Sequence, residues 1–152
     1  MKVLKTALFI LVLLLAVIQF IPDRLPENLA DNPGDLLNSG TVPEQVAAIL
    51  RTSCYDCHSN ETHFPWYSRL APASWLLAKD IREGRENVNF SEWNGLSKRD
   101  KIGKLESVKE EVTKGEMPLP VYTLIHRKAR LTPEQVSYLA KWADDMANEI
   151  LK

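Results

Sequence analysis

The chain has 152 residues, 45% of them hydrophobic and 26% charged, enough for one folded domain with a tail and too few for two domains. Its formal net charge is -1, and setting aside Lys2 and Lys5 leaves 17 of the 19 basic residues against 20 acidic ones. That balance offers no basic stripe, so nucleic acid is excluded as the expected partner.

The first segment, MKVLKTALFILVLLLAVIQFIPDR, sets Lys2 and Lys5 before an apolar run from Ala7 to Ile21 that only Gln19 interrupts. A run of about fifteen residues lies between the core of a signal peptide and the roughly twenty of a spanning helix. Small residues at A-x-A spacing are missing between Val17 and Leu29, so the reading is an uncleaved membrane anchor over residues 1–21. Lysines ahead of the run keep the N-terminus in the cytoplasm and send the rest outward. In a bacterium that outside is the periplasm, where unprotected thiols are oxidised.

Residues 22–40, PDRLPENLADNPGDLLNSG, are rich in Pro, Asp, Asn and Gly without a sustained period, and read as a tether. Folding is expected over residues 41–152. TVPEQVAAILRTS predicts a first helix, with Pro43 in its first turn and Val46, Ile49 and Leu50 on one stripe, running directly into Cys54. SWLLAKDIREG predicts a second, with Trp75, Leu76 and Ile81 inward and Gly84 as its end. A third begins near Ser97, where Asp100 favours the helix dipole, and carries Ile102, Leu105, Val108 and Val112 up to Gly115. Thr132, Pro133 and Gln135 mark the start of a fourth as cap, first-turn proline and capping box, ahead of Val136, Leu139, Ala143, Met146 and Ile150. No segment alternates long enough for a strand. The connections from Ser59 to Pro72 and from Gly115 to Leu131 are long for a compact domain unless they serve a site.

Both cysteines lie in RTSCYDCHSN, as Cys54 and Cys57, followed at once by His58. A thioredoxin-like dithiol needs a strand feeding a helix N-terminus, whereas this pair follows a helix. A structural zinc ion needs four ligands, and adjacent Cys57 and His58 both bending onto one small ion is an awkward arrangement. The pattern C-x-x-C-H fits haem c: two thioethers hold one edge of the porphyrin and the next imidazole meets the iron. On this reading Cys54 and Cys57 attach the ring and His58 ligates the metal, its other N–H needing an acceptor.

For the second axial position, KGEMPLPVY offers Met117 in a loop stiffened by Pro118 and Pro120. His126 is the alternative, His63 is too close in sequence to reach around the ring, and five-coordinate iron stays open as a further case. Phe64, Trp66, Tyr67 and Trp75 form an aromatic cluster after the motif, suited to covering an apolar porphyrin or to the core. Arg69 and Tyr122 are candidates for pairing with a propionate.

The helix ending in C-x-x-C-H, the later Met-Pro loop and the C-terminal helix resemble the c-type cytochromes. More narrowly, SCYDCHSNETHFPWYS followed by APASW, NFSEW and GEMPLPVY resembles the bacterial haem-binding domain family over about Thr41 to Asp145. The resemblance implies a mainly α, cytochrome c-like fold, about four short helices around one covalent haem c held by Cys54, Cys57 and His58, with Met117 as distal ligand. It names no reaction.

The function expected from these readings is a membrane-tethered electron carrier at the bacterial inner membrane, its haem domain in the periplasm. Its partners would be redox proteins of the envelope and the haem-attachment machinery. A peroxidase or small-ligand sensor with an open distal site is the alternative, with His126 or His63 as the acid-base group. A zinc-bearing or disulfide-closed interaction module stands further off.

Overall fold

The N-terminal run forms helix α1 (Lys2–Ile18), whose leucines, valines and isoleucines leave no polar face and bury no residue. In the computed structural model, residues 1–21, 24–29 and 31–152 are described, so Pro22, Asp23 and Ala30 of the expected tether lie outside the described residues. No helix among the described residues is long and apolar enough to cross a membrane; α1, with 17 residues, extends about 26 Å at 1.5 Å per residue.

The domain itself is helical, with no strand among the described residues. Helix α2 (Glu44–Ser53) breaks at Cys54, whose φ of -125° interrupts the helical backbone, and continues as the single turn α3 (Tyr55–His58). Helix α4 (Ala73–Asn87) follows a 3₁₀ turn at Trp66–Arg69, and α5 (Lys98–Lys114) follows another at Phe90–Gly95. A short α6 (Pro120–Ile125) and a 3₁₀ turn at Arg127–Ala129 lead to α7 (Pro133–Leu151). The two long connections of the sequence reading thus contain short helical turns.

Helices α5 and α7 pack against each other, and α2 lies on α7. Their apolar stripes meet in one core that includes Leu50, Leu105, Val112, Leu139 and Trp142. The capping box forms as expected: Thr132 Oγ1 accepts from Gln135 N–H at 3.3 Å, and the Gln135 side chain accepts from Thr132 N–H at 2.9 Å. Phe90 and Trp93, both 2% exposed, belong to the same core, and Tyr55 stacks on Phe90 with ring centroids 5.5 Å apart.

Three expectations change. Helix α4 does not end at Gly84 but runs through it to Asn87, and its buried stripe is Leu77, Ala78, Ile81 and Gly84 rather than Trp75, Leu76 and Ile81. Leu76 faces out. The stretch from 24 to 40, read as a tether, is bonded to the domain in its described residues. Arg85 donates to Glu27 O at 2.7 Å, Asn28 and Thr62 exchange side-chain and backbone bonds, and Leu36 is fully buried in the core. Asp35 caps the 3₁₀ turn Leu36–Ser39 and accepts from Tyr55 Oη at 2.8 Å and Ser91 Oγ at 3.1 Å, so the segment is tied both to α3 and to the turn at Phe90–Gly95.

Candidate functional site

The break between α2 and α3 is where chemistry and fold meet. The chain turns at Cys54, and the backbone bonds Cys57 N–H and His58 N–H to Cys54 O at 3.1 and 2.9 Å, so one tight turn presents both thiols and the imidazole to a single cavity of about 410 Å³. That volume falls within the roughly 300–1,000 Å³ of small-molecule and cofactor sites. Helix α4 lines it through Leu77 and Gly84, and α5 through Val108 and Val112. Met117, Pro118 and Leu119 border the same cavity, with Tyr122 of α6 beside them.

Gly84 makes the close approach possible. A Cβ at this position would stand 2.7 Å from Cys57 O, so α4 reaches the Cys-His turn only because this residue has no side chain. The contact sets the imidazole. His58 Nδ1 lies 2.9 Å from Gly84 O and 3.0 Å from Val88 O, and carbonyl oxygens only accept, so Nδ1 carries the hydrogen. Nε2 is left with its lone pair. Burial holds the His58 pKa below its ordinary 6.5, against the opposing effect of the two carbonyls, so the ring is neutral and competent as a ligand.

The thiols are unpaired. Burial first, and then the neighbouring Cys57, push the Cys54 thiol up to about 12; burial, followed by the carboxylates of Asp56 and Asp80, does the same to Cys57. A redox dithiol requires the opposite displacement. Nor does any group of three or more His, Cys, Asp and Glu side chains converge as a metal site among the described residues, which leaves a zinc centre without its donor set.

The other residues singled out in the sequence divide between those near the cavity and those away from it. Met117 borders it, its N–H bonded to Glu111 O at 3.2 Å after Gly115 (φ 75°) ends α5 in a left-handed turn. Tyr122 also borders it, with its hydroxyl donating to Asp56 Oδ2 at 2.8 Å. Trp66, Tyr67 and Arg69 do not line it, and Trp66 is 80% exposed. His126 is stacked on Tyr122 at 4.2 Å, and its Nε2 shares a 2.7 Å hydrogen bond with Tyr67 Oη. His63 is exposed, bonded to Asp56 through its backbone N–H and its Nδ1, and does not line the cavity. The charged lining is acidic, with Asp56, Asp80, Glu83 and Glu111 and neither Lys nor Arg. Gly84 and Val88 are the partners of His58 that sequence reading missed; a glycine near the end of a helix and a valine just past that end were their only trace.

Two thiols and a tautomer-fixed imidazole on one turn, facing a mostly apolar cavity bordered by a methionine, fit a haem group. A search of curated proteins and another of solved structures each found no match. The family model described as a haem-binding domain matches residues 13–145, from within α1 to within α7, and therefore takes in α2 to α6 with the whole Cys-His turn. The chain belongs to the haem-binding domain family, and its cofactor is haem.

Proposed function

We propose that the chain is a c-type electron carrier, attached by α1 to the bacterial inner membrane with its haem domain in the periplasm. The observation that carries this reading is the position of Cys54, Cys57, His58 and Met117 around one cavity, with His58 Nδ1 already committed to two carbonyls. Cys54 and Cys57 would hold the haem as thioethers, each S–H adding across one vinyl group with no oxidant and no leaving group. His58 Nε2 and the Met117 thioether would hold the iron, and a histidine–methionine pair raises the reduction potential. When bound, the haem iron supplies a one-electron couple between its ferrous and ferric states. Leu77, Val88, Val108 and Val112 keep water from that couple, and the packed turn limits rearrangement as the charge changes.

The attachment machinery of the envelope would form the thioethers, and envelope redox proteins would donate and accept the electron. Lys2 and Lys5 support the assignment of the N-terminus to the cytoplasmic side. The helix is a few ångströms shorter than a hydrocarbon core of roughly 30 Å, a mismatch that snorkelling lysines and local thinning accommodate.

Carbon monoxide tests the ligation. Reduced protein with both axial positions filled keeps its visible spectrum when the gas is added; rapid conversion to a carbonyl spectrum would show an open distal site and overturn the electron-carrier assignment.

A further inference from the structure

The end of α1 is fastened to one particular loop of the domain. Gln19, the one polar side chain within the run Ala7 to Ile21, donates from Nε2 to Leu15 O at 2.8 Å and to Ala71 O at 3.0 Å. Its Oε1 accepts from Ala71 N–H at 3.0 Å. The side-chain amide thus pairs with both backbone groups of Ala71, joining an apolar helix to the loop before α4.

That loop is where the domain exposes its largest aromatic ring. Trp66 is 80% exposed, Leu70 47% and Phe64 37%, and Leu76 at the start of α4 adds 49%. The Trp66 ring meets Tyr67 in a T-shaped contact, with centroids 5.8 Å apart. Trp66 opens a 3₁₀ turn that closes two residues before Ala71, so at about 2 Å per residue in the turn it lies within roughly 15 Å of the Gln19 clamp. From Thr62 through Lys79 there is no carboxylate, and the exposed Arg69 sits in the same turn as Trp66. An indole with an apolar body and a polar N–H, flanked by leucine and a cation and free of acids, has the composition of a bilayer interface.

We propose that the loop from Phe64 to Leu70 lies on the bilayer, with Trp66 and Leu70 inserted at the headgroup level and Arg69 among anionic lipids, held there by the Gln19 clamp. This rests on the proposal that α1 is in the membrane, and it adds a second contact that fixes the domain's orientation. Because Ala71 is six residues from Leu77 of the haem cavity, the cofactor is kept near the lipid surface instead of swinging on a free arm. A redox partner that is itself a membrane protein then meets a fixed face of the domain.

Hydroxyl-radical footprinting of the full-length holoprotein, at one copy per nanodisc of phosphatidylcholine and phosphatidylglycerol, tests this. Tyr138 on α7, 36% exposed, is the internal reference. Trp66 has the more reactive ring and the greater exposed fraction, so without a lipid cover it must be oxidised faster than Tyr138. Lipid burial reverses the order, and Gln19→Ala, still retained in the disc, raises oxidation at Trp66 several-fold. Faster oxidation of Trp66 in protein that elutes with the disc overturns the docking alone. Protection that is indifferent to Gln19, or that appears only with two copies per disc, overturns it as well. Protein that fails to elute with the disc removes the membrane reading of α1 and the docking with it.

Discussion

His58 shows how much one side chain depends on residues far from it in sequence. Its Nδ1–H is held by the carbonyls of Gly84 and Val88, 26 and 30 residues away, and the bond fixes which nitrogen faces a metal. Burial also lowers its pKa, which has a consequence for the haem-free chain. The unfolded chain takes up a proton near 6.5 and the folded chain only below that, so this stabilisation is complete above 6.5 and is lost as pH falls through the lowered folded value. The urea midpoint of haem-free protein should drop between pH 7 and pH 5, and His58→Asn should remove part of that drop. An identical drop in the variant would take His58 out of the linkage. Met117 is tested by potentiometry: Met117→Ala should lower the potential by roughly a hundred millivolts or more, a part of the ~0.8 V range set by axial ligands. An unchanged potential would exclude the thioether from the iron.

At the scale of elements, glycines separate what a sequence reveals from what it conceals. Gly84 has the spacing of a helix terminator, and nothing local distinguishes that from a close approach whose partner, Cys57, is distant in the chain. In contrast, the cap at Thr132 and Gln135 was legible because all its partners lie within one turn. The segment from 24 to 40 was misread for the same reason as Gly84: its composition is polar, while the bonds that hold it come from Arg85, Thr62 and Tyr55. Adding a methyl group at two glycines measures the difference. Gly84→Ala pushes a Cβ against Cys57 O and should cost about 1–3 kcal/mol with reduced haem loading. Gly103→Ala in α5, where nothing stands within 4 Å, should instead stabilise by about 0.5–1 kcal/mol. Thermal melts of the two variants should therefore move in opposite directions; a harmless Gly84→Ala would refute the tight contact between α4 and the Cys-His turn.

Over the whole molecule, helical packing from α5 and α7 closes the core, while the cofactor cavity lies between α4, α5 and the turn after α2. The cysteines and histidine of that turn were legible as a motif, and Met117 as a loop candidate. The aromatic cluster was less informative, because Trp66 and Tyr67 have the same composition whether they cover a porphyrin or face outward, and the fold puts Trp66 outward. The proposed c-type attachment requires a covalent bond from each thiol to the haem, which the mature protein would carry. Intact-mass measurement of denatured, acid-solvent-washed holoprotein tests this most directly. The account predicts a polypeptide heavier by one whole haem, with the added mass on the peptide containing Cys54 and Cys57 and lost from a Cys54→Ala, Cys57→Ala variant. Haem that washes out and leaves the chain at its bare mass would contradict covalent attachment.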